Sequence, residues 1–278
     1  ASLGQNIKSA IDRAVDEINE NGGVAGKTLE IVWGDSEGDP AIGMSEAERL
    51  ITVENIQMLL GCYQSSVTEV VCQVAEKYKV PFVSAISAAT SITTHGYQYF
   101  YRMGITKIAT GKDAMELANY IAETTGKKMD SFIIYTDSST LGQQCLESLE
   151  YWAPLYDKTI AKEVIIQSDS TDVSAEIMTL MNTEADFIVT ELYAADAILT
   201  VNTMQELNYK PEVFMTLGAG YADVSFLPST EGYNEGIYCL MEYGADSPKA
   251  PEVSAKFKEL TGNTMNGHAA LGYTATYL

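Results

Sequence analysis

Leu59-Leu60-Gly61-Cys62-Tyr63-Gln64-Ser65-Ser66-Val67-Thr68-Glu69-Val70-Val71 is the stretch on which the reading of this chain turns. An apolar run from Ile56 to Leu60 stops at Gly61. Beyond Ser66, the residues Val70, Val71, Val74, Ala75 and Tyr78 recur at helical spacing, so the order is strand, turn, helix. Ser66 followed three residues later by Glu69 has capping-box spacing, which predicts Ser66 as the cap of a helix that begins after it. The hydroxyls of Ser65 and Ser66 then share a small volume with the first unpaired amides of that helix. Unpaired N–H groups and a partial positive charge favour a carboxylate or another anion there. An ordinary capped connection has the same spacing, so the rest of the chain must weigh the two.

Towards the N-terminus, Leu3, Ile7, Ile11, Ala14, Val15 and Ile18 form one apolar stripe that ends at Asn21-Gly22-Gly23, a helix with a glycine stop. Leu29-Glu30-Ile31-Val32-Trp33 reads as a strand. Asp39-Pro40 opens a second helix, with Asp39 as cap and proline in the first helical position. Towards the C-terminus, Val80 to Ser84 is the next strand, followed by a loop of small and hydroxyl residues from Ala85 to Ser91. Strand and helix alternating at this pitch predict a parallel, doubly wound sheet. Ligands of such sheets bind beyond the carboxyl ends of the strands, where the Ser65-Ser66 turn meets the loop after Ser84.

A second series follows an extended piece from Tyr97 to Met103. Helical patterns over 109–124, through Cys145 to Trp152, over 174–181 and over 194–207 alternate with strands over 131–136, 160–166, 185–190, 213–217 and 236–241. A final helical pair covers 251–260 and 268–278. Two similar runs joined near Met103-Gly104 predict two lobes of the same α/β kind with short hinges between them.

Composition bounds the function. The 278 residues suffice for two α/β domains, and 46% hydrophobic with 20% charged residues is the balance of a soluble globular chain. A net charge of −21 argues against nucleic acid and against a polybasic membrane contact, because nothing basic is concentrated enough to neutralise phosphates. No apolar run approaches the roughly 20 residues that span a bilayer. Cys62, Cys72, Cys145 and Cys239 lack C-x-x-C spacing and sit in apolar segments, so buried free thiols are expected. His95 and His268 stand far apart without acidic or cysteine neighbours at ligand spacing, so neither a metal nor a cofactor is expected. Ser65, Ser66 and Ser87 are candidate nucleophiles for an enzyme, yet there is no G-x-S-x-G elbow and no glycine-rich phosphate loop after a first strand. An enzyme is therefore not the expected reading.

Asp16-Glu17-Ile18-Asn19, Gly22 to Lys27, Asp39-Pro40, Gly61 with Ser65-Ser66, Pro81, Ser87-Ala88-Ala89-Thr90, Leu141-Gly142 and Ala270-Leu271-Gly272-Tyr273 occur in one order along the chain. In that ordered set the sequence resembles the substrate-binding proteins of ABC transporters for leucine, isoleucine and valine. The resemblance implies the type I periplasmic-binding-protein fold, two doubly wound parallel-sheet lobes with a ligand cleft between them. It implies a near lobe of 1–103 plus 234–278 and a far lobe of 104–233. It further implies an extracytoplasmic, monomeric receptor, periplasmic or a lipoprotein on the outer face of the membrane. That receptor would bind a branched-chain amino acid or related carboxylate by hinge closure and deliver it to the permease subunits of an ABC transporter.

By the same resemblance, Ser65 matches the serine whose hydroxyl and amide hold the ligand carboxylate. Ala88 matches the residue whose carbonyl takes the ammonium, Thr90 the threonine that binds both head groups, and Tyr193 a far-lobe aromatic over the ligand. Tyr63, Ser66, Ser87, Ala89, Leu141, Glu191 and Gly218 complete the expected ligand positions. Leu141 stands where the family usually has an aromatic, and the stretch Leu217 to Gly220 lacks the family's acid. Glu191, at a neighbouring strand end, is either that acid's substitute or a solvated rim residue. Gly61-Cys62-Tyr63 is also similar to the amide-binding regulators of this fold, which leaves a ligand-sensing domain as the alternative reading. The family pattern starts with a strand ahead of the Leu3 helix and continues past Leu278 into a hinge crossover, so a piece of a longer chain is expected.

Overall fold

The computed structural model describes residues 2–244, 248–262 and 264–278, with Ser2, Leu3 and Ala219 described for their backbone alone. Leu3 of the expected first stripe therefore lies outside the described side chains. The chain divides into two compact units, Ala1–Ile105 with Glu242–Leu278 and Thr106–Met241.

The first unit opens with α1 (Ser2–Glu20), whose Ala10, Ile11, Ala14 and Val15 are buried, as the stripe predicts. Asp39 caps α2 (Pro40–Thr52): its Oδ1 accepts from the Ala41 amide at 2.7 Å and the Ile42 amide at 3.0 Å. Strand β1 (Leu59–Leu60), helix α3 (Ser65–Tyr78) and strands β2 (Phe82–Ser84) and β3 (Phe100–Arg102) follow, and the three strands pair in parallel in the order β1-β2-β3. Phe82, Phe100, Val67, Val71 and Ala75 bury one another between this sheet and α3.

Residues 29–33 differ from expectation. They form no strand, and none of the five is buried. The Leu29 amide donates to Asn19 Oδ1 at 2.8 Å and its carbonyl accepts from Asn19 Nδ2 at 3.0 Å, so a side chain takes the place of a neighbouring strand.

The second unit runs α4 (Lys107–Thr125), β4 (Ser131–Asp137), α5 (Thr140–Trp152), β5 (Thr159–Ile166), α6 (Ser174–Met181), β6 (Phe187–Glu191), α7 (Ala194–Glu206), β7 (Phe214–Thr216), the short α8 (Phe226–Ser229) and β8 (Ile237–Cys239). Its five parallel strands lie in the order β5-β4-β6-β7-β8. Side chains of β4 alternate between faces: Phe132 and Ile134 pack with Met115 and Leu149 of α4 and α5, whereas Ile133 and Tyr135 pack with Ile177 and Val201 of α6 and α7. Both faces are covered, which is why these strands read as unbroken apolar runs. Because β8 pairs with β7, residues 234–241 fall in the second unit and not with 242–278, as the sequence reading had placed them.

The chain returns to the first unit through α9 (Ala250–Thr261) and α10 (Gly267–Thr276). Both are tied to α1 through Glu17. Lys256 donates to it at 2.9 Å, Arg13 at 2.8 Å and the Tyr277 hydroxyl at 2.8 Å, with the Tyr273 hydroxyl closer still. Burial alone would raise this carboxyl, but the four bonds overcome it and hold its pKa at about 2. All four cysteines are free; Cys72 and Cys145 are buried as expected and Cys62 is half-buried. Cys239 departs from expectation and is exposed, because β8 is an edge strand.

Gly142 shows how tightly α5 seats on the end of β4. A Cβ there would lie 2.2 Å from the Asp137 carbonyl oxygen, which is backbone and cannot swing away. Gly142→Ala should therefore cost at least about 1–3 kcal/mol of stability. Gly4→Ala, in a helix with nothing within 4 Å of the new methyl, should be neutral to about 0.5 kcal/mol stabilising. Thermal denaturation of the two variants checks the contrast, and equal melting temperatures would show that the α5–β4 contact yields easily.

Candidate functional site

In the first unit the candidate residues converge on one turn. Helix α3 starts at Ser65, with Gln64 in the cap position two residues before the Ser66 cap that the capping-box spacing predicts, and with no side-chain cap bond. Ser66 lies inside the helix, and Glu69 accepts from the Ser91 hydroxyl at 2.6 Å instead of reaching back to the helix start. The first-turn amides of α3 therefore have no side chain bonded across them. Ser65 is buried, and its Oγ accepts from the Ala89 amide at 3.3 Å, which leaves the hydroxyl proton to donate.

Facing Ser65 is the loop after β2. Ser87, Ala88 and Ala89 are buried and Thr90 is half-buried. Ser87 Oγ donates to the carbonyls of Cys62 at 3.0 Å and Tyr63 at 3.2 Å and touches Thr68 Oγ1, which itself donates to the Gln64 carbonyl at 2.9 Å. Ser87 thus fastens the turn before α3 to the loop after β2. The Tyr63 ring stands edge-on to buried His268, centroids 5.4 Å apart.

Arg102, which the sequence reading passed over, sits at the end of β3 beneath this loop. Its Nη1 donates to the Ala89 carbonyl at 2.6 Å and the Ser87 carbonyl at 3.5 Å, and its Nη2 to Thr93 Oγ1 at 2.6 Å. Burial lowers its pKa from the ordinary guanidinium value, yet arginine stays protonated at any neutral pH. A lone cation closing an aromatic strand was the available signal.

The far-lobe candidates lie in the second unit at the carboxyl ends of its strands, where the strand order reverses between β4 and β6. Tyr193 precedes α7 and is half-buried, and Leu141 is buried in the first turn of α5. Gly218 turns at φ +93, a conformation that suits glycine, and the Gly220 amide then reaches the Leu192 carbonyl at 2.8 Å. Glu191 is not a solvated rim residue. It is buried, and its Oε2 accepts from Lys107 Nζ at 2.6 Å, a fully buried pair between β6 and the first turn of α4. Nothing in the sequence pattern pointed to Lys107.

Two further acids share this edge. Asp137 is buried with Oδ1 bonded to the Ser139 amide at 3.0 Å, and Asp196 is buried with Oδ2 bonded to the Asp169 amide at 3.3 Å. Burial raises both carboxyls. Asp196 is pushed to about 6, with the negative charges of Asp137 and Asp169 adding to burial against the bond from the Asp169 amide.

That value lies above the unfolded carboxyl's, about 3.9, so the native chain holds the extra proton between about pH 4 and pH 6. Asp196 therefore stabilises the fold on the acid side, and its contribution is lost as pH rises through about 6. Asp196→Asn, which fixes the neutral form, should raise the melting temperature at about pH 7.5 by a few degrees relative to the native chain and by about half as much at about pH 5. A lower melting temperature at the higher pH would mean that the ionised Asp196 is favourably paired.

Three kinds of similarity bear on this site. The family profile described as periplasmic binding protein matches residues 1–278. Leu/Ile/Val-binding protein homolog 8 of Brucella abortus (strain 2308) is 30% identical over 227 residues, covering 80% of this chain and 56% of that protein. The chain thus spans about half the length of that curated relative. Among solved structures, the branched-chain amino acid transporter substrate-binding protein LivJ of Streptococcus pneumoniae, in complex with isoleucine, superposes with a TM-score of 0.89 at 23% identity, over 100% of this chain and 78% of that one. A solute-binding protein of an ABC transporter from R. palustris, in complex with 4-hydroxybenzoate, superposes with a TM-score of 0.86 at 22% identity, over 100% and 75%. At these identities the two structures speak for the fold alone.

Proposed function

The chain belongs to the periplasmic binding protein family, and on that premise we propose that it is a solute receptor for a small carboxylate, serving an ABC permease. The observation that carries the reading is the start of α3. Its uncapped first-turn amides and the Ser65 hydroxyl proton stand together against the loop of buried Ser87, Ala88 and Ala89, and the Arg102 charge lies against that loop. A helix N-terminus with a fixed donor beside it favours a carboxylate without any cofactor. The ligands named for the two related structures, isoleucine and 4-hydroxybenzoate, differ in nearly everything except a carboxylate. A branched-chain amino acid is the ligand that the curated relatives' names suggest for this chain, and an aromatic acid is the other candidate.

In this reading Ser65 and the Ser66 amide hold the anion, Ala88 and Thr90 line it, and Tyr193, Leu141, Glu191 and Gly218 belong to the second unit's contribution. The protein is extracytoplasmic and monomeric, in the periplasm or on the outer face of the membrane as a lipoprotein. It takes up its ligand by hinge motion about the two chain crossings, at Ile105–Thr106 and Met241–Glu242. No chemical step is required of it.

Ser65→Ala removes one donor from a charge-assisted set, so it should weaken the better binder of isoleucine and 4-hydroxybenzoate roughly tenfold to a hundredfold, about 1.5–3 kcal/mol. It also strips the Ala89 amide of its partner, so a stability loss of about 1 kcal/mol should accompany it. Titration calorimetry that finds the affinity unchanged would place the carboxylate elsewhere.

A further inference from the structure

We infer that Arg102 is a positioning residue of the anion site: through the Ser87 and Ala89 carbonyls it fixes the loop after β2 and strengthens that loop's amides as donors to the ligand carboxylate. This rests on the receptor reading above and deepens it, and Arg102, the loop and Ser65 all lie in the first unit. Of the chain's three arginines, Arg13 and Arg49 are paired with glutamates. Arg102 bonds to carbonyls and a hydroxyl instead, and no ion pair joins it to a carboxylate among the described residues.

The sheet sets Arg102 in place. It pairs in register with Ser84 at the end of β2, and the Met103 amide donates to the Ser84 carbonyl at 3.0 Å. From that fixed point the guanidinium fork spans the loop. Nη1 donates to the Ala89 carbonyl at 2.6 Å and more loosely to the Ser87 carbonyl at 3.5 Å, while Nη2 donates to Thr93 Oγ1 at 2.6 Å. A lysine, with a single nitrogen, has no such fork.

The peptide bonds that follow those two carbonyls are trans, so the Ala88 and Thr90 N–H groups point away from the guanidinium. A cation bonded to a peptide carbonyl polarises the planar unit and makes its N–H a stronger donor. Arg102 thus passes part of its charge to the other side of the loop without touching the ligand. The Ala89 amide, bonded to Ser65 Oγ at 3.3 Å, holds the same loop against the start of α3.

The test is calorimetric titration of the native chain, Arg102→Lys and Arg102→Gln with isoleucine and 4-hydroxybenzoate. Lysine and glutamine both keep a donor for the Ala89 carbonyl and both lose the fork, so the two variants differ chiefly in charge. For whichever ligand the native chain binds more tightly, Arg102→Gln should weaken it roughly tenfold or more and Arg102→Lys only about threefold. Equal losses in the two variants would reduce Arg102 to a staple of the loop and overturn the inference. Unchanged affinity in Arg102→Gln, with Ser65→Ala still weakening the ligand, would overturn it and leave the receptor reading standing. No binding of either ligand by the native chain would overturn the carboxylate reading and this inference together. If Arg102→Gln does not fold, Thr93→Val decides. It removes the Nη2 acceptor at an exposed position and should weaken the ligand about threefold, and unchanged affinity there would overturn the inference.

Discussion

A parallel strand can join its neighbour only through a crossover that carries the chain back to the same edge. In both units nearly every such crossover is a helix, so each strand's carboxyl end hands the chain to a helix N-terminus on one edge of the sheet. Unpaired amides, capping serines and turn glycines therefore gather on that edge by geometry. Ser65 and the Ser87 loop in one unit, and Asp137, Ser139, Glu191 and Gly218 in the other, are all strand-end or helix-start residues. Between β4 and β6 the strand order reverses, and the helices that follow, α5 and α7, pack on opposite faces. The opening this leaves is where such folds take their ligands.

Charge is organised on two scales. The net −21 is mostly surface and keeps the chain solvated. Several buried or half-buried charges are met by partners of their own. Glu17 collects four donors, Arg102 spends its guanidinium on carbonyls and a hydroxyl, and Lys107 pairs with Glu191. An unpaired ion in the same positions would cost several kcal/mol, so these contacts constrain the backbone around them. Arg102 in particular makes the Ser87–Thr93 loop a fixed surface and not a pliable one.

The strand 59–60, its helix, and the α/β series that follows were legible because burial imposes a period, 2 on a strand and 3.6 on a helix, that a single chain carries in its own order. Asp39-Pro40 was legible for a similar reason: a cap and a first-turn proline act within three residues. Ser65 and the Ser87–Thr90 loop could be placed together because parallel winding puts successive strand ends side by side.

What failed to read from the sequence is pairwise. Residues 29–33 have the composition of a strand, but a strand exists only with a neighbour, and here Asn19 satisfies Leu29 instead. Ser66 and Glu69 have capping-box spacing, yet Glu69 is engaged by Ser91, 22 residues away. Glu191 at a strand end was ambiguous until Lys107, 84 residues distant, was found against it. Local pattern determined which elements form and which edge holds the site. Only the tertiary structure decided which charges on that edge remain available, because that depends on partners the chain brings together from far apart in its sequence.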